Sequence, residues 1–191
     1  MLPIILLALQ AATPAAPVAA PPAPAPAPVA APAPWAIRER ADAASGVATT
    51  SASAIARDGS SRLTVKCDRA AESIVSVQFI AKQPLQTASD TGEFADKQVS
   101  MRFNGGPAIT DNWQFRATAA YIASSTPVTA LTVQLAKAKA ITVETTTAGN
   151  FAFSATFDGP ATSAPIVQVL TACGYKLGEV PPPPPAEKPK K

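Results

Sequence analysis

The chain contains no histidine, which removes the commonest general base, the commonest metal ligand and the usual partner of a serine or cysteine nucleophile. It also lacks any apolar run long enough to cross a bilayer, which takes roughly 20 residues. The apolar opening, Met1 to Gln10, is half that length. Proline is nearly missing from the middle: ten of the 21 prolines lie in residues 1–34 and six in residues 181–191, leaving five for the 146 residues between. Only that middle can form regular structure. Ionisable side chains are absent from residues 1–34, and the tail from Pro181 carries Lys188, Lys190 and Lys191 against Glu187 alone. Residues 35–180 hold 13 basic and 12 acidic residues, a net of +1, so the sequence pI near 9.0 describes mainly the tail. A folded nucleic-acid binder concentrates Lys and Arg on the domain that touches phosphate, so nucleic acid is not an expected partner.

What is present divides the chain into four parts. Residues 1–12 have the length and apolarity of a signal peptide, with small residues following at Ala11, Ala12, Ala15 and Ala16 but no Lys or Arg after Met1. Residues 13–34 repeat Ala and Pro without large apolar side chains, the composition of an extended spacer. Residues 35–180 are of comfortable single-domain size, enough to bury about two thirds of the unfolded surface. Residues 181–191 form a Pro/Lys-rich tail with a basic end. The expected location is the periplasm, with no transmembrane span.

Within the domain, period-two alternation marks strands. Leu63, Val65 and Cys67 share one face, Val75, Val77 and Phe79 another, and Val99, Met101 and Phe103 a third. Weaker strand signals cover 35–40, 47–56, 111–118, 140–146 and 151–157, the last placing Phe151, Phe153, Ala155 and Phe157 on one face. Asp58-Gly59, Asn104-Gly105-Gly106, Ala148-Gly149-Asn150 and Asp158-Gly159-Pro160 supply turn chemistry between them. Two segments change period. Thr126-Pro127 reads as an N-cap and first helical position, with Val128, Leu131 and Leu135 recurring to about Lys139. Strand is a live alternative there. Ser163 opens a second helix in which Ile166, Val169, Leu170 and Cys173 form one stripe, and Gly174 is placed to stop it. The expected fold is mainly β: an antiparallel β-sandwich of about seven or eight strands with two short helices and one disulfide.

The two cysteines fall at the inward end of one strand and on the inward face of the last helix, so a Cys67–Cys173 bond would pin that helix to the sheet. The alternative is two buried free thiols in a cytosolic protein. Other motifs have plain readings. Asp90-Thr91-Gly92 spells an aspartic-protease signature, but its flanks are polar and no second copy exists to complete a dyad. Asp90, Glu93 and Asp96 match no dedicated calcium loop and read as a solvated turn. Cys67 lacks a base on its own face, since Lys66 points to the other, and Lys97 and Ser100 fall on opposite faces of a strand. No catalytic residue, metal ligand or cofactor is therefore expected. Trp35, Trp113 and Tyr121 are the candidate binding residues. An exposed Trp or Tyr stacks on sugar or anchors a partner, whereas the plainer reading is core, with Trp35 docking the spacer onto the domain.

The order of the pieces resembles a family. Trp35 to Ile37, Leu63 to Cys67, Val99 to Phe103, Trp113, Phe157 to Gly159 and Ala172-Cys173 stand as in the type VI secretion-associated periplasmic proteins of the VasI/TagO kind. More distantly, the cysteines in a small exported β domain are similar to those of invasion-associated locus B proteins. The resemblance implies an exported accessory protein with a β-sandwich fold that acts through contacts in the cell envelope without catalytic residues. Thr146 to Asn150 stands where the secretion-associated proteins carry a polar-aromatic segment. The expected function is a non-catalytic envelope binding module whose partner is an envelope protein or glycan, and the resemblance implies association with a secretion system. The competing class is a carboxylate-only hydrolase of an envelope polymer, with Asp or Glu pairs drawn together by the fold.

Overall fold

Alternating side chains demand a buried face and a wet face, and the chain satisfies both by coiling a single sheet around one core. The computed structural model describes residues 35–41, 43–86 and 95–181. Among these, the strands are β1 (Ala36–Ala41), β2 (Ala48–Ile55), β3 (Ser61–Arg69), β4 (Ser73–Ala81), β5 (Ala95–Phe103), β6 (Ala108–Arg116), β7 (Ala119–Ile122), β8 (Ala140–Thr146) and β9 (Ala152–Asp158), with helices α1 (Ser125–Lys137) and α2 (Ala164–Ala172). All pairings are antiparallel, in the order β1-β2-β3-β4-β7-β6-β5-β8-β9, and the sheet is not closed.

The mainly β, antiparallel character, the two helices and the disulfide are as expected, and the strand count and connectivity refine the expectation. Nine strands form one continuous sheet because β7, only four residues long, pairs with β4 through Val77↔Ile122 and with β6 through Gln114↔Tyr121. It stitches together what would otherwise be two separate layers. The inner faces nevertheless oppose one another as in a sandwich: Phe79 on β4 meets the rings of Phe153 and Phe157 on β9 at 5.8 and 6.2 Å between centroids. The open edges approach at one corner, where the Arg57 amide donates to the Thr156 carbonyl at 2.9 Å and Trp35 Nε1 to the Asp158 carbonyl at 3.0 Å.

The inner face carries Leu63, Val65, Phe79, Met101, Trp113 and Phe115, all buried. Helix α2 packs on β2 and β3, and α1 on β4 and α2. The first helix begins two residues earlier than expected, with Ser124 rather than Thr126 as N-cap, because Pro127 is tolerated anywhere in a first turn whose N–H groups have no helical partner. Val128, Leu131 and Leu135 form its buried stripe as the spacing predicts. Gly174, at φ +75°, ends α2 in a Schellman arrangement, with Tyr175 N–H on the Leu170 carbonyl and Gly174 N–H on that of Thr171, both at 2.9 Å. Between β5 and β6, Asn104 and Gly105 both take positive φ, and Gly106 N–H closes the turn on the Phe103 carbonyl. One face assignment needs correcting: Phe151 precedes β9 and is 74% exposed, so the inward row starts at Phe153.

Candidate binding groove

The outer face of β1 to β4 forms a concavity of about 400 Å³. Alternation and register assemble it. Arg38 stands opposite Ser51, Ser51 opposite Lys66, and Lys66 opposite Ser76; in the adjoining row Ser53 faces Thr64 and Thr64 faces Gln78. Those on β2, β3 and β4 each neighbour an inward residue, such as Ala52, Val65 or Val77, so burial of the core obliges them to face out. Thr64 is itself buried and makes part of a floor, with Ser76 buried beside it, while every residue of β1 is exposed and makes a rim.

The floor is a hydroxyl and amide surface. Ser53 Oγ and Thr64 Oγ1 are 3.0 Å apart, and Gln78 Nε2 donates to Ser76 Oγ at 3.0 Å. At one end Thr49 Oγ1 donates to Asp68 Oδ1 at 2.8 Å, and Lys66 Nζ meets Asp68 Oδ2 at 2.8 Å. Lys66 is thereby neutralised. Arg38, Arg40 and Arg62 also line the concavity, and among the described residues none of the three has a carboxylate within ion-pair distance. Arg38 and Arg40, two residues apart on one strand face, stand roughly 7 Å from each other, and β1 and β3 lie about 10 Å apart across β2. The groove thus holds a small, uncompensated positive field above a floor of hydrogen-bonding groups.

The residues singled out from sequence are placed as follows. Cys67 and Cys173 form a disulfide with Cα atoms 5.8 Å apart, and Cys67 is fully buried. Trp35 is 6% exposed and docks by its indole N–H on the far edge strand, and Trp113 is 1% exposed within the core. Neither indole offers a face to a ligand, which corrects the possibility that they stack on one. Tyr121 is half-buried and lines a separate concavity of about 260 Å³ with Asp96, Asn112, Gln114 and Ser124. The structure does not bring the three aromatics to one surface.

Lys97 and Ser100 do lie on opposite faces. Ser100 Oγ pairs with Thr110 Oγ1 at 2.8 Å, whereas Lys97 Nζ donates to the carbonyls of Leu85, Thr146 and Thr147 at 2.9, 3.1 and 3.2 Å and sits 5.1 Å above the Phe115 ring. Desolvation draws the Lys97 pKa below the usual lysine range. Its contacts are those of a clasp between loops. Asp90-Thr91-Gly92 and Glu93 lie outside the described residues, as do the leader, the Ala/Pro spacer and residues 182–191. Among the described residues no group of three His, Cys, Asp or Glu side chains is placed to hold a metal, and no helix is long and apolar enough to cross a membrane.

Sequence reasoning missed Arg38, Arg40 and Arg62. The available signal was their period: Arg38 and Arg40 share the polar face of the first strand, and Arg62 shares that of the strand ending at Cys67, but only the register joins them.

Fold and groove together define a disulfide-bonded, all-antiparallel β domain with a basic, hydroxyl-floored concavity. No protein-family model matches the chain, and no curated protein matches it in sequence. Among solved structures, the fold is similar to that of invasion associated protein B from Bartonella henselae, at 14% identity over 72% of this chain and 92% of that one, with a TM-score of 0.43. A likeness of that size carries no function across.

Proposed function

We propose that the chain is an exported, non-catalytic accessory protein of the bacterial envelope, which works by holding an envelope component, protein or glycan, in the β1–β4 groove. The observation that carries this reading is the groove itself: a concave surface with three guanidinium groups that, among the described residues, have no carboxylate within ion-pair distance, above a polar floor on strands whose other face is core. Cys67–Cys173 supports export, because structural disulfides persist in oxidising compartments. The apolar opening of the chain supports it independently. The motif order shared with type VI secretion-associated proteins makes a secretion system the first setting in which to seek the partner. The hydrolase alternative requires two carboxylates roughly 5–10 Å apart across a cleft. Among the described residues the groove has only Asp68, held by Lys66 at one end, and the concavity beside Tyr121 is lined by Asp96 alone.

Two measurements test the proposal. Material from the native host is expected in the periplasmic fraction, with an intact mass showing the leader removed and both sulfurs bonded. The immobilised chain is expected to retain an envelope protein or glycan that Arg38→Gln/Arg62→Gln does not. Cytoplasmic material with free thiols would refute export. Turnover of an envelope polymer abolished by one carboxylate substitution would refute the non-catalytic role.

A further inference from the structure

Resting on the groove as the binding surface, we infer that its ligand is an acidic oligosaccharide, a short run of sugars bearing carboxylate or phosphate groups. Three features of the site select that chemistry together. The first is charge: Arg38, Arg40 and Arg62 have planar donor forks and, among the described residues, no carboxylate within ion-pair distance, the arrangement that grips carboxylate or phosphate in bidentate fashion. The second is the floor, where Ser51, Ser53, Thr64 and Gln78 present hydroxyl and amide groups that both donate and accept, as sugar hydroxyls do. The third is shape. Arg62 and Lys66 lie four positions apart on β3, so the groove runs for about 13 Å along the strand. Its 400 Å³ falls within the range of sites that take small ligands rather than whole protein surfaces. At the Arg62 end Ile55 and Ile80 supply a short apolar wall against which the C–H face of a sugar ring can lie.

Other polyanions fit less well. Single-stranded nucleic acid binds by stacking bases on aromatic side chains along a cationic track, and the groove lining includes no aromatic residue. A peptide strand is held chiefly by main-chain hydrogen bonds at a sheet edge, whereas the cations here rise from the face of the sheet above hydroxyl groups; an acidic peptide read by the arginines alone is the competitor that hexaglutamate tests below.

The test is calorimetric titration of the full chain at low salt with tetragalacturonate, a phosphorylated tetrasaccharide, the methyl-esterified and therefore neutral tetragalacturonate, hexaglutamate and a hexanucleotide. Binding of either acidic sugar is expected, the tighter of the two naming the acid. The neutral ester, hexaglutamate and the hexanucleotide are expected at least tenfold weaker. Arg38→Gln/Arg62→Gln should lose at least tenfold for the acidic sugar with an unchanged urea midpoint, and Thr64→Val should lose several-fold through the floor alone. Failure of both acidic sugars to bind, binding that the double variant retains, or equal binding of hexaglutamate or DNA would each overturn the inference. If both acidic sugars fail while the chain still retains envelope material through Arg38 and Arg62, the groove reading stands and only the ligand class falls.

Discussion

Gly159 is the position at which a single methyl group should do most damage. A Cβ built there would lie 1.8 Å from the Ala138 carbonyl oxygen, 2.4 Å from its carbon and 3.1 Å from the Lys139 nitrogen, where 3.4 Å begins ordinary contact. The obstacle is backbone, so no rotamer relieves it. That backbone is also held: Lys139 N–H donates to Asn104 Oδ1 at 2.7 Å, the Lys139 carbonyl accepts from Gly159 N–H at 2.9 Å, and Ala138 ends α1 on the Leu135 carbonyl. Gly159→Ala must push the α1–β8 connection away from the end of β9 and stretch these bonds. Overpacking costs about 1–3 kcal/mol and one or two strained hydrogen bonds about 1 kcal/mol each, giving a destabilisation of about 2–5 kcal/mol, a large share of the roughly 5–15 kcal/mol by which domains are stable. With a urea slope near 2 kcal/mol/M, the midpoint should fall by about 2 M. Gly105→Ala is the control, since its φ of +71° adds backbone strain but nothing lies within 4 Å of the new carbon. It should cost only about 1–2 kcal/mol. A Gly159→Ala midpoint within 0.5 M of wild type, or below that of the control only by the error of the fit, would refute the steric account (a slope of roughly 2 kcal/mol/M is assumed).

Removing the disulfide with Cys67→Ala/Cys173→Ala should cost about 4–5 kcal/mol by chain entropy, given the separation of 106 residues between the cysteines. Urea unfolding of the double variant checks this, and a loss under about 1 kcal/mol would show that α2 is held by packing alone. Trp35→Ala should cost about 3–4 kcal/mol, since it removes a buried indole and its bond to the Asp158 carbonyl. Arg57→Ala, which breaks only an exposed pair with Asp158, should cost under about 1 kcal/mol; similar losses for the two would contradict the docking role given to Trp35. The Ser60 amide, and then its hydroxyl, hold the Asp58 carboxylate below the usual aspartate range. Since that pKa is lower folded than unfolded, its stabilisation is full above the ordinary value near 4 and is lost as pH falls through the folded value. Wild type should therefore unfold at higher urea than Asp58→Asn at pH 7, and the gap should close at pH 2.

Legibility in the sequence tracked how local each signal was. β3, β4 and β5 alternate strongly and stand where the pattern predicts, and both helix stripes are correct. β7 escaped notice because two of its four residues are alanines and because the turn before it has no Gly, Asn or Pro: Ala117 itself takes φ +52°. That one omission accounts for the ninth strand and for the continuity of the sheet, which the expected seven or eight strands did not include. Phe151 looked like a core residue by parity, yet the Ala148–Asn150 turn closes through Thr147, whose amide donates to the Phe151 carbonyl at 2.9 Å and leaves the ring outside. The groove was illegible for a different reason. Residues 38, 40, 62 and 66 meet only through the β1-β2-β3 pairing, and pairing partners are not written in the period of any one strand.

The same register separates stability from binding. Arg38, Arg40 and Arg62 are exposed and project from the face opposite the core, so their replacement should leave the urea midpoint unchanged while altering whatever the groove holds. Gly159, Trp35 and the disulfide act on the interior and on the corner where the sheet edges meet, away from the groove floor. β1 serves two ends at once. Among the described residues it is a terminal strand with one unpaired edge, the kind of element that invites pairing with another chain, and its central Arg38-Glu39-Arg40 run is the charged sequence that discourages it. Because alternation sends Glu39 to the opposite side from the two arginines, β1 keeps its edge polar while placing no carboxylate of its own residues 36–41 on the groove side. A charge-guarding edge alone would work with either order of signs. Only the order present here, arginine outward at both 38 and 40, also makes a site for an anion. Arg38→Glu/Arg40→Glu, which keeps the edge charged and reverses the groove, therefore separates the two roles: the chain should stay monodisperse in gel filtration and lose its ligand, whereas retention of the ligand would reduce β1 to an edge guard.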